Sequence, residues 1–285
     1  MKTLLIVSVI LAAVLVGAAT QVPSIAAGGL LHPARHQPRA KAPGNCADLE
    51  FAGKGVKLRG WHCRPAGPKR GTVVYLHGIA DNRDSSIGVI RRFTTQGLDV
   101  VAYDSRAHGA SDGNLCTYGY FEKEDLRGVV DTLSPGPLVL LGTSLGAAVA
   151  LQEAATDTRV SGVIAAEVFS YLETIARERA PSFVPGYLMA QAFRVAEQRA
   201  AFSVRDVSPV RAASKIRVPV LLIHGEGDLL TTPEHSRRVF VALAGPKRLL
   251  LVPRAGHNES LRNSAVWTQV DTWLNDVVQH ARTPG

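Results

Sequence analysis

Residues 137–155 read PLVLLGTSLGAAVALQEAA, an apolar run suited to a strand, the pentapeptide Gly142-Thr143-Ser144-Leu145-Gly146, and an Ala-rich run suited to a helix. A serine at such a junction has to turn sharply enough to lift its hydroxyl clear of the sheet. Glycine two residues away on each side removes the Cβ atoms that would collide. Ser144 therefore reads as a nucleophile, set against the plainer reading of a glycine-softened turn in any doubly wound protein.

The neighbourhood favours the first reading. From residue 71 onward, short β-branched runs at 72–77, 98–104, 137–142, 160–167, 218–225 and 247–253 alternate with helical patterns near 83–96, 119–134, 145–156, 233–243 and 260–281. That alternation is the mark of βα units and a mostly parallel sheet. Several strands are apolar on both faces, as buried parallel strands should be. The stretch 171–208 breaks the rhythm and reads as a small helical cap over the carboxyl ends of the strands, where ligands bind in such sheets, or as two connecting helices. Its Phe183, Val184, Leu188, Met189 and Phe193 suit an acyl pocket or the cap's own core.

A serine hydroxyl is a poor nucleophile until a base takes its proton, and the base needs an anion to hold its tautomer. Two loops supply these groups. Asp228 follows VPVLLIHGEG (218–227) and His257 follows KRLLLVPRAG (247–256), each just beyond the carboxyl end of a strand. In a parallel sheet those ends share one rim. Glu167 also closes a strand and competes for the carboxylate role, but Asp228 sits on a freer, Gly-containing loop. His77, His108 and His224 each precede glycine and suit turn-stabilising roles. Backbone N–H groups of Leu145, at a helix start, and of Ile79, after YLHG (75–78), are placed to form an oxyanion hole.

The ends of the chain add context. Residues Leu4 to Ala19 are apolar apart from Ser8 and follow Lys2; Gln21 and Pro23 are expected to end any helix. Residues 1–29 thus read as a signal peptide or N-terminal membrane anchor and 30–285 as the folded domain, exported to the membrane, periplasm or exterior. Sixteen helical residues rise about 24 Å, which flanking residues extend toward the roughly 30 Å hydrocarbon core. Cysteine usage agrees with export. Cys46 and Cys63 bracket two alternating stretches joined by AGKG (52–55); pivoting the hairpin between Lys54 and Gly55 opposes residues whose numbers sum to 109, as 46 and 63 do. A Cys46–Cys63 disulfide follows, and Cys116 is left as a buried small hydrophobe.

The net charge of +8 and a pI near 9.7 do not indicate nucleic acid, because Lys and Arg are scattered in pairs without interleaved aromatics. A basic surface of this kind favours anionic lipid or cell-wall neighbours. No Cys/His spacing suggests a metal site, and no cofactor is required.

The motifs YLHG (75–78), YDSRAHGASDG (103–113), CTYGYFEKEDL (116–126), GTSLG, HGEGD (224–228) and AGH (255–257) together resemble the α/β-hydrolases, particularly the bacterial membrane-anchored branch described as serine aminopeptidase-like or monoacylglycerol-lipase-like. The resemblance covers nearly everything from Leu30 on. It implies an α/β-hydrolase fold with an N-terminal antiparallel hairpin and a small cap, and it puts nucleophile, acid and base at Ser144, Asp228 and His257. Ala107 stands where glycine is usual, and Val168-Phe169 where Pro-Phe is usual. Asp104, Arg106 and His108 are expected to form a structural turn network. The expectation is a serine hydrolase cleaving a small-molecule carboxylic ester, or an amide, through an acyl-serine. Alternatives are an acyltransferase with the same triad and a catalytically silent envelope binding protein.

Overall fold

The structure is a computed structural model describing residues 21–282 of the 285. The apolar run 4–19, read as signal or anchor, lies outside the described residues. Among those described, no helix is long and apolar enough to cross a membrane.

Eight strands form one sheet in the order β1-β2-β4-β3-β5-β6-β7-β8. They are β1 (Cys46–Ala52), β2 (Lys57–Cys63), β3 (Gly71–Leu76), β4 (Leu98–Tyr103), β5 (Leu138–Thr143), β6 (Val160–Ala166), β7 (Val220–Gly225) and β8 (Lys247–Val252). From β4 to β8 every pairing is parallel, while β2 runs antiparallel to both β1 and β4. The hairpin therefore sits at one edge, as the sequence predicts. Its register opposes Cys46 to Cys63 and Ala52 to Lys57, and the two cysteines are bonded.

Alternation of side chains across the pleat splits the core in two. Val73 and Tyr75 of β3 face a layer built by α2 (Ile87–Thr94) and α9 (Ser264–His280), with Phe93, Val270 and Leu274 buried there. Val74 and Leu76 face the other layer, where α3 (Glu122–Val130), α4 (Leu145–Ala154), α7 (Pro209–Ala213) and α8 (Pro233–Ala242) pack through Leu126, Leu151, Ala213 and Val239. Parallel strands covered on both faces need apolar residues at every position, and β3, β4 and β5 are buried throughout.

The expectation that Gln21 and Pro23 stop a helix is corrected. Residues 21–31 are helical (α1), and Ala27 and Leu31 of this helix are fully buried in the core. Proline fixes φ near the helical value, so Pro23 is compatible with a helix whose apolar face is buried.

Between β6 and β7 the chain forms α5 (Leu172–Arg179) and α6 (Gly186–Ala200), within the stretch read as a cap. The turn after β4 is a closed polar network. Buried Asp104 accepts from the Arg83 backbone N–H and guanidinium and from the Ala110 N–H, all at 2.8 Å. Arg106 makes a two-pronged ion pair with buried Asp125 at 2.6 and 2.7 Å. His108 Nδ1–H donates to the Arg106 carbonyl. Ala107 carries φ 62, the left-handed conformation that explains why glycine suits that position.

Candidate active site

Ser144 stands between β5 and α4 with φ 49 and ψ −108, a backbone conformation that packing must enforce. The crowding is visible atom by atom. A Cβ on Gly146 would lie 2.1 Å from the Leu76 carbonyl oxygen, and one on Gly142 would lie 2.3 Å from the Gly146 carbonyl carbon. Only glycine fits at either place, and the turn they permit is held by the Ser144 N–H donating to the Ala166 carbonyl at 2.8 Å.

The structure brings Ser144, His257 and Asp228 together at the carboxyl rim of the sheet. His257 Nε2 lies 3.1 Å from Ser144 Oγ, and its Nδ1 lies 2.7 Å from Asp228 Oδ2. With a carboxylate at Nδ1 that nitrogen carries the proton, which leaves Nε2 free to accept from the serine. Asp228 is buried, yet its charge is well served. Oδ1 accepts the N–H groups of Leu230 and Thr231, both at 2.9 Å. Burial pushes its pKa up, but hydrogen bonds from His224, His257 and the Thr231 N–H outweigh that and hold the carboxyl well below the usual range.

The two residues expected to supply oxyanion donors sit on segments next to the serine turn. Leu145 is the first residue of α4, where N–H groups lack helical partners. The loop after β3 lies against the serine turn, since a Cβ on Gly78 would be 3.7 Å from the Ser144 Cβ. Neither the Ile79 nor the Leu145 N–H has an acceptor among the described residues.

Glu167, the rival carboxylate, makes no bond to His257. Its Oε1 instead accepts the Ser260 N–H and hydroxyl, tying the loop that carries His257 to the end of β6. Burial raises its pKa, and its Oε2 is buried with no partner. Sequence reasoning missed this tie, while His224 fills the turn-stabilising role expected of it. That side chain donates from Nε2 to the Thr231 carbonyl at 2.7 Å, with Asp228 Oδ2 3.4 Å away, while Ser236 Oγ bonds its Nδ1. His224 thus supports the acid's loop from beneath. His77 fills its turn-stabilising role, with Nδ1–H donating to the Gly78 carbonyl and Nε2 accepting the Ser105 N–H.

Two cavities stand out, of which the first adjoins the site. One of about 420 Å³ includes Thr143, Glu167 and Asn258 in its walls, next to Ser144 and His257 in sequence. The other, about 390 Å³ and mainly apolar, lies between α1 and the α5–α6 segment. Val184, Met189 and Phe193 line it, Phe193 also packs into the main core, and Phe183 is 84% exposed. Burial keeps the Cys116 thiol protonated by raising its pKa. Among the described residues no cluster of three or more His, Cys, Asp or Glu could hold a metal ion.

Residues 71–208 match the family described as alpha/beta hydrolase fold, and residues 186–285 match the family described as PhoPQ-activated pathogenicity-related protein. The uncharacterized protein YqkD of Bacillus subtilis is 30% identical over 213 residues, covering 71% of this chain and 70% of its own. The esterase Pf2001 of Pyrococcus furiosus superposes with a TM-score of 0.69 at 22% identity, over 88% of this chain and 99% of its own. The acylaminoacyl peptidase of Pyrococcus horikoshii superposes with a TM-score of 0.66 at 16% identity, over 84% of this chain and 42% of its own. Glycine-bounded elbow, carboxyl-rim loops and sheet order agree with these likenesses, and the chain belongs to the α/β-hydrolase fold family.

Proposed function

We propose that this hydrolase is a serine hydrolase that cleaves carboxylic esters through an acyl-serine, with Ser144 as nucleophile, His257 as base and Asp228 as the acid that orients it. The observation that carries the reading is the unbroken relay from Ser144 Oγ through the imidazole to Asp228, with contacts of 3.1 and 2.7 Å. His257 Nε2 takes the hydroxyl proton as Oγ attacks the carbonyl carbon. The oxyanion that forms is held by the N–H groups of Leu145 and Ile79, each worth about 3–4 kcal/mol to the transition state. As the C–O bond of the ester breaks, the imidazolium gives its proton to the leaving oxygen. Water, deprotonated by the same nitrogen, then releases the acid and restores the serine.

The esterase among the structural neighbours supports this choice of substrate class. The peptidase neighbour keeps amides as a second reading, since the same intermediate serves. Export to the cell envelope, by signal peptide or anchor, goes with the apolar run 4–19 and the paired cysteines.

Fluorophosphonate labelling of the purified protein, followed by a p-nitrophenyl ester series of increasing chain length, tests the proposal. Ser144→Ala is expected to abolish the adduct and lower kcat by on the order of 10⁴-fold or more. An intact protein that takes no adduct under conditions that label a control hydrolase would instead favour a silent binding role.

A further inference from the structure

Eight large apolar side chains stand out from the described surface, and six of them gather beside the α1 and α5–α6 segments. Ile25 is 71% exposed, Phe183 84%, Tyr187 65%, Leu229 90% and Leu230 61%, with Val22 at 36%. They come from three separate parts of the chain, yet contacts join those parts. Val22 and Ala26 of α1 share the walls of the apolar cavity with Pro181 and Val184 of the α5–α6 turn. The guanidinium of Arg199, at the end of α6, donates to the Ser24 carbonyl and hydroxyl. Arg179, at the end of α5, donates to the Leu230 carbonyl and the Thr231 hydroxyl. The first described residues of α1, the tip of the α5–α6 turn and the loop just beyond Asp228 therefore form one rim.

Exposed apolar groups collected in one place are unfavourable in water, at roughly 25 cal/mol per Å², and they mark a surface that something covers. The observations favour lipid as the covering. The sixteen-residue apolar run 4–19 ends three residues before Val22, so the most apolar stretch of the chain adjoins this rim in sequence. Arg179 and Arg199 sit among the apolar residues, on a chain of net charge +8, as suits contact with anionic headgroups. The apolar residues are carried on two turns and two helices and not on one flat face, which fits shallow insertion between headgroups better than a protein partner.

We infer that this rim lies against an anionic phospholipid bilayer, with Phe183, Leu229 and Leu230 entering the headgroup region and the apolar cavity opening toward the acyl chains. The docking stands whether or not Ser144 is a nucleophile; only the supply of acyl substrates from the bilayer rests on that reading.

The test uses the full chain in vesicles of phosphatidylethanolamine and phosphatidylglycerol. A spin label is attached in turn to Phe183→Cys, Leu229→Cys and, as control, Val241→Cys. Val241 is 78% exposed and lies in the last turn of α8, where its carbonyl accepts from Lys247 at the start of β8. The native cysteines do not interfere, since Cys46 and Cys63 are bonded and Cys116 is buried. Power-saturation spectroscopy compares collision with oxygen, which concentrates in lipid, and with a water-soluble nickel chelate. Labels at 183 and 229 are expected to show an oxygen-to-nickel ratio severalfold above that at 241. Equal, water-like ratios at all three sites overturn the inference, and so does spin–spin broadening at 183 or 229 without oxygen preference, which would seat a second copy on the rim. Lipid contact at 183 and 229 combined with full esterase activity in Ser144→Ala would retain the docking and remove the proposed nucleophile.

Discussion

Asp228 shows how much a single oxygen can carry. Its Oδ1 is committed to the N–H groups of Leu230 and Thr231 and its Oδ2 to His257. Asn at this position keeps one acceptor oxygen. If that oxygen stays with the two backbone donors, the amide NH₂ faces His257 Nδ1 and forces the proton onto Nε2. The imidazole then points a donor at Ser144 and can no longer accept from it. Asp228→Asn is therefore expected to fold with nearly native stability while kcat on a p-nitrophenyl ester falls about 10⁴-fold. A loss smaller than tenfold would place the orienting anion elsewhere, with Glu167 next in line.

Glu167 acts at the level of elements, joining the end of β6 to the loop that follows β8. It holds φ 50, and through Ser260 it fixes a turn that begins three residues after His257. Glu167→Ala frees that turn, and a displacement near 1 Å at the base lowers kcat on the order of 10²-fold. KM is expected to stay nearly unchanged. Glu167→Gln retains a carbonyl oxygen for the Ser260 donors and should recover most of the rate; if the Gln variant is as slow as the Ala variant, charge and not position is what Glu167 supplies. None of this was legible from one sequence, because the tie depends on where two distant loops meet. The hairpin register was legible, since antiparallel pairing reduces to counting from the turn. The serine elbow was legible too, because two glycines announce the close approach of Gly142 and Gly146 to neighbouring backbone. Helix α1 was misread because local rules about proline know nothing of Ala27 and Leu31 reaching the core. The support that His224 gives Asp228 was hidden for a similar reason. Only the folded loop shows that a strand histidine lies under the acid.

Across the whole molecule, three histidines are stored uncharged. His77, His108 and His235 have no exposed surface, and burial pulls the pKa of each down, against the opposing pull of Glu178 in the case of His235. For His108, burial and the neighbouring His77 bring the value down to about 4, from about 6.5 in an unfolded chain. Between those values the unfolded state binds the extra proton, so stability rises with pH there. The contribution is complete above the unfolded value and is lost as pH falls toward the folded one, amounting to about 3 kcal/mol for His108. Buried Asp104, Glu153 and Glu167 are shifted upward by burial and work in the opposite sense, favouring the folded state as pH drops. A comparison of two proteins cancels that background. His108→Asn keeps a donor for the Arg106 carbonyl and has nothing to titrate. Urea midpoints taken from pH 7 down to pH 4 should therefore fall more steeply for the natural chain than for the variant, with the gap between the two curves closing by about 3 kcal/mol over the range. Parallel curves would mean that His108 takes up its proton at the same pH in the fold as in the unfolded chain, and the buried network around Asp104 and Arg106 would then have to hold a charge that its geometry gives no partner.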